Sequence, residues 1–163
     1  MNKAVIPPGP RPPRLNLRSI KGSDNYDIKK EIVKTVGKRF ENYITTLPTN
    51  NIKDVKLEIT DSVHYAHGMH ETKTPTFRIA VFGESTGNVV IGGFSDEEFW
   101  VTIEARDYEK LVSTRAIKKM KRALVLWGFM VTNSRDTWSV PFNVILNKIA
   151  RREKNTKVIS SLI

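Results

Sequence analysis

"TFRIAVFGESTGNVVIGGFSDEEFWVTIEA", residues 76–105, decides the fold. Within it TFRIAVF places Phe77, Ile79 and Val81 on one side of an extended chain, and FWVTIEA does the same with Phe99, Val101 and Ile103. That period of two marks half-buried strands. VVIGGF between them is short and apolar, and ESTGN and SDEE on either side of it are rich in turn formers. Three strands joined by such short turns predict an antiparallel meander. Upstream, DVKLEIT (residues 54–60) alternates in the same way and predicts one more strand.

Moving outward, the period changes. SDNYDIKKEIVKTVGKRFENYITTL (23–47) repeats Ile28, Ile32, Val36, Phe40, Tyr43, Ile44 and Leu47 at helical spacing, with Ser23 or Asp24 as cap and Pro48 as stop. Gly37 inside it weakens the helix or admits a close contact. RDYEKLVSTRAIKKMKRALVLW (106–127) predicts a second helix, with Tyr108, Val112, Ala116, Met120, Ala123, Leu124 and Trp127 on one face and Gly128 placed to end it. FMVT (129–132) reads as a last short strand. SVPFNVILNKIARREK (139–154) reads as a third, amphipathic helix with Ser139 as cap and Pro141 in its first turn. The first 22 residues contain Pro7, Pro8, Pro10, Pro12 and Pro13, so helix and central strand are both excluded there and an extended arm is expected.

The expected fold is therefore α+β: an antiparallel sheet of four to five strands packed by two helices. The expected organisation is a Pro-rich arm over residues 1–22, a core domain over 23–131, and a C-terminal helix and tail over 132–163.

Charge narrows the function. The 163 residues carry 27 Lys and Arg against 17 Asp and Glu, a net charge of +10 that favours nucleic acid or acidic partners. More than half of the cations fall in three blocks: the arm (Lys3, Arg11, Arg14, Arg18, Lys21), the second helix (Arg115, Lys118, Lys119, Lys121, Arg122) and residues 148–157 (Lys148, Arg151, Arg152, Lys154, Lys157). On the second helix Arg115, Lys118, Lys119 and Arg122 lie opposite the apolar stripe. They read either as a row of phosphate contacts or as an ordinary solvated face. Trp100, Trp127 and Trp138 read as base-stacking platforms or as core aromatics, and Trp127 belongs to the apolar stripe.

Several chemistries are set aside. The chain has no cysteine, which excludes disulfides, thiolate nucleophiles and Cys-based zinc sites. Its longest apolar run, ALVLWGFMV (123–131), is too short for a membrane span of about 20 residues, and no secretory signal is expected. GESTG (83–87) matches the nucleophile-elbow pattern, but that motif needs a helix after it and here a strand follows, so Ser85 is a turn residue. His64, His67 and His70 all fall in SVHYAHGMHETKTP (62–75). Their spacing of three suits neither one helix face nor one strand face. The stretch is expected to be a polar loop, with a zinc site including Asp61 or Glu71, or a pH-sensitive contact, as alternatives.

The order of elements, together with KTPTFRIAVF (73–82) and FWVTIEARDYEKLVSTRAIKKMKRAL (99–124), resembles the tail-completion, or tail-terminator, proteins of tailed phages. Those proteins share a Pro that opens a strand, and a strand that runs directly into a Tyr-x-x-Ala/Leu amphipathic helix. The likeness covers residues 26–131 and carries no site residue. It implies a non-enzymatic subunit of a ring, commonly of six copies, that caps the tail tube at the neck, contacts other virion proteins and lets DNA pass. On that basis the expected location is the virion or the host cell cytoplasm. The alternative is a small basic nucleic-acid-binding protein, such as a phage or plasmid regulator, using the second helix and the arm. A metal-dependent enzyme built on the histidine stretch comes third. The residues singled out for nucleic-acid or partner binding are Arg11, Arg14, Arg115, Lys118, Lys119 and Arg122. No catalytic residue, metal ligand or cofactor is assigned, and no membrane partner is expected.

Overall fold

A computed structural model describes residues 25–148 apart from 67–69, 96, 109 and 135. The arm and the tail beyond residue 148 lie outside the described residues. The chain runs α1 (Asn25–Thr46), β1 (Ile52–Ala66), β2 (His70–Gly83), β3 (Gly87–Ser95), β4 (Glu98–Ile103), a 3-10 turn (Ala105–Tyr108), α2 (Thr114–Leu126), β5 (Met130–Val131), β6 (Thr137–Pro141) and a helix α3 over 142–148. The strands form one antiparallel sheet in the order β1-β2-β3-β4-β6-β5.

Alternation sorts the sheet into two faces. Leu57, Ile79, Val90 and Ile103 follow one another across four strands, as do Ile59, Phe77, Gly92 and Val101. These side chains meet the helices. Between Ile79 and Ala80 the β2–β3 register shifts, and the extra residue lets Val89 and Val90 both be buried. The opposite face carries the cross-strand hydroxyl pairs Thr60–Thr76 and Thr102–Thr137, each with oxygens 3.0 Å apart, and the half-buried Trp100.

α1 buries Ile32, Val33, Val36, Phe40, Tyr43 and Ile44. A Cβ on Gly37 would lie 3.0 Å from Leu57 Cδ1 and 3.3 Å from the Phe77 ring, so glycine there lets the helix lie close to the sheet. Phe40 sits at the centre of the core: its ring stacks on Trp127 at 5.6 Å and meets Phe77 edge-on at 6.3 Å. α3 joins the same layer through Phe142 and Ile145, with Phe142 edge-on to Phe94 at 5.8 Å.

The α+β class and the antiparallel sheet agree with expectation, but among the described residues the sheet has six strands rather than four to five. The additional one is β6. Residues 139–141 were expected to open a helix; instead Trp138 and Val140 pair with Val101 and Phe99 and turn toward the core. Tertiary pairing overrides the local cap signal, and the helix begins only at 142, after Pro141 ends the strand. Because β6 lies between β4 and β5, the sheet continues past residue 131.

The second helix is also shorter than its periodic pattern. Ser113, not a residue near 106, is its cap, and its hydroxyl accepts from the Ala116 N–H at 3.1 Å. The preceding residues are pinned to the α1–β1 connection. Asn51 Nδ2 donates to the Lys110 carbonyl at 2.9 Å, Thr49 Oγ1 donates to the Leu111 carbonyl, and Pro48 bridges Val112. At the other end Gly128 has φ 98°, the left-handed value that stops a helix, as its position predicts.

Candidate functional site

The structure brings Arg115, Lys118, Lys119 and Arg122 onto one exposed stripe of α2, opposite buried Ala116, Met120, Ala123 and Leu124. Arg11 and Arg14, the other two residues singled out, lie outside the described residues. Among the described residues no acid forms an ion pair with any of the four on α2; the ion pair present, Arg78–Glu58 at 3.2 Å, lies on the far side of the sheet. Lys119 has a second duty. Its ammonium lies 5.9 Å from the Tyr43 ring, and Arg39 stacks on the same ring at 5.5 Å while donating to the Tyr43 hydroxyl at 3.1 Å. This contact ties α1 to α2.

Sequence reading missed a second cationic row. Lys30, Lys34 and Lys38 are all exposed on α1, one turn apart. The signal was present as i, i+4 spacing, but the helix also carries Asp27, Glu31 and Glu41, which hid the row in a tally of charge. α2 carries no acid in its first turn, where Arg115 faces the positive end of the dipole. That is the less favourable placement for a cation and the more favourable one for an approaching anion.

A second surface lies at one end of the sheet. The histidine stretch is not a loop as expected. Residues 62–66 continue β1, and residues 70–75 begin β2, in six successive pairs from Asp61↔Pro75 to Ala66↔His70. β3 pairs with β2 only from Thr76, so among the described residues no third strand pairs with these six. The change coincides with Pro75, a residue without an N–H to donate. The result is a two-stranded ribbon about 20 Å long. At its base the Tyr26 hydroxyl donates to Asp61 Oδ1 at 2.6 Å. His64 pairs with Thr72, and His70 with Ala66, on opposite strands, while His67 lies outside the described residues. Among the described residues no three His, Asp or Glu side chains gather as metal ligands.

Of the three tryptophans, Trp127 is buried in the core, which removes it from any role in stacking on bases; Trp138 points toward the core side at half burial, and Trp100 lies half-buried on the sheet face opposite the helices. Ser85 sits exposed in the bend between β2 and β3, with β3 beginning at Gly87. No helix among the described residues is long and apolar enough to cross a membrane. No protein-family model, curated protein or solved structure matches this chain.

Proposed function

We propose that the chain is a non-enzymatic assembly subunit of a phage-like virion, a ring component at the tail terminus or neck. The observation that carries the reading is the ribbon. An isolated two-stranded hairpin is marginally stable in water. Six residue pairs extended past the last supporting strand are therefore best explained as a segment that gains its cover from a neighbour. A ribbon that rests on a different surface of the next copy makes a head-to-tail contact, and such contacts close into rings when the rotation allows. The order of elements supports the same reading through its likeness to tail-terminator proteins. In such a ring the virion, or the host cytoplasm before assembly, is the place of action. Sedimentation equilibrium over a concentration series is the test. A closed oligomer of fixed size is expected, and a monomer at every concentration would overturn the reading.

The cationic layer favours a second reading, a nucleic-acid-binding protein. Phosphate contacts by Arg115, Lys118 and Arg122 would each release a counterion, so each alanine substitution would lower the log–log salt slope of DNA binding by about one. Lys119 is left out because it also supports Tyr43. An unchanged slope in all three variants removes this reading.

A further inference from the structure

β1 is an edge of the sheet, and no described strand pairs with its free side. Lys53, Asp54, Lys56, Glu58 and Asp61 are exposed along it, while Val55, Leu57 and Ile59 are half-buried at the margin of the core. Charges of this kind keep stray strands from adding to an edge. Their order along β1 has a second property: it is complementary to itself. Two hydrogen bonds locate the backbone groups on the free side. The Val55 N–H donates to Asp54 Oδ1 at 2.9 Å, outside the ladder, and the Thr60 carbonyl accepts from Thr76 Oγ1 at 3.2 Å, on the β2 side. In an antiparallel ladder the N–H and C=O of one residue point the same way, and successive residues alternate. Val55, Leu57 and Ile59 therefore offer their N–H and C=O groups outward.

A second β1 laid antiparallel along this side keeps core face beside core face only where odd residues oppose odd residues. Centred on Leu57, such a pairing sets Leu57 against Leu57, Val55 against Ile59, Lys56 against Glu58 and Lys53 against Asp61. Two-fold symmetry repeats each unlike pair, so Lys56–Glu58 and Lys53–Asp61 each occur twice, and no like charges oppose. Moving the centre to Lys56 sets Lys56 against Lys56 and Asp54 against Glu58, and moving it to Glu58 sets Glu58 against Glu58. Centring on Val55 keeps only the Asp54–Lys56 pair, and centring on Ile59 opposes no lysine to an acid. Attraction selects one register, and repulsion excludes its nearest neighbours.

We propose that the β1 edges of two copies of this chain pair antiparallel about Leu57, joining two six-stranded sheets into one. The pairing satisfies the outward backbone groups and covers Val55, Leu57 and Ile59. The facing stretch, residues 53–61, is short and makes a contact at the small end of specific interfaces, so it forms in concentrated protein and is lost on dilution. It uses none of the ribbon beyond Asp61, so the inference does not rest on the assembly reading.

Because the chain has no cysteine, disulfide trapping is free of background. A Lys56→Cys chain is mixed in equal amount with a Glu58→Cys chain, in concentrated protein under mild oxidation. In the proposed register position 56 directly opposes position 58, with Cα atoms about 4.5 Å apart. Position 56 against 56, or 58 against 58, is a diagonal of about 7–8 Å, beyond the reach of a disulfide. The mixed disulfide is expected in at least about tenfold excess over either like pair. No disulfide, or the ratio of random pairing, overturns the proposal. In a second measurement, hydrogen exchange of the full chain is compared in concentrated and dilute protein. The Leu57 and Ile59 amides are expected to exchange at least about threefold more slowly in concentrated protein, with α1 amides unchanged as the reference for an intact fold. Lys56→Glu is expected to abolish that difference, and Lys56→Glu combined with Glu58→Lys to restore it. No difference in the parent chain, or loss without restoration, overturns the proposal equally.

Discussion

The two edges of this sheet solve the same physical problem in opposite ways. β1 is 15 residues long and presents charge along its free side. β5 is two residues long and presents only Met130 and Val131. A charged edge can remain open to water without recruiting a stray strand, so β1 and its partner can project a ribbon as far as the sequence allows. An apolar edge cannot, and it must be short, covered, or both. The difference is plain in the geometry: the ribbon end projects past the sheet, and the β5 end stops after two residues.

This division can be broken at its centre first. Phe40 touches Trp127 on the α2 side and Phe77 on the β2 side, so Phe40→Ala should cost about 3–5 kcal/mol and destabilise both ends in one cooperative transition. Chemical denaturation followed by separate probes at the ribbon and at β5 would check it; transitions that separate would mean two folding units. Next comes Gly128→Ala, which forces a side chain into φ 98° and should cost about 1–2 kcal/mol, with no change in the size of any oligomer. Ser113→Ala removes the α2 cap and should cost about 1 kcal/mol by the same measurement. The smallest effect is expected at Glu58→Gln. Its ion pair with Arg78 is exposed on both sides, and the loss should stay within about 0.5 kcal/mol. A larger loss would show that the β1 edge depends on its charges for stability and not only for openness.

Much of this was legible in the sequence. Period-two alternation located the central strands because one face of each is buried and the other is not. The 3.6-residue pattern located α1 and placed Arg115, Lys118, Lys119 and Arg122 together on one face of α2. Three things were not legible, each for a physical reason. Ser139 and Pro141 carry genuine helix-start chemistry, yet Trp138 and Val140 gain more by pairing with β4, a contact no local pattern records. Val112 fits the helical stripe, but the Lys110 and Leu111 carbonyls just before it accept from Asn51 and Thr49, about sixty residues distant in sequence. The histidine stretch reads as a loop because its residues do not alternate, and its continuation of β1 and β2 shows only in the cross-strand register.

The most direct test compares the full chain with one whose ribbon is cut. Ser62 and Thr74 are paired, so replacing residues 63–73 with Asn-Gly closes a tight hairpin at the ribbon's base without disturbing the sheet. Native mass spectrometry of the two proteins at near-physiological ionic strength is the measurement. The account predicts a closed ring for the full chain and a folded monomer for the shortened one. A monomer in both, or the same ring in both, would contradict it.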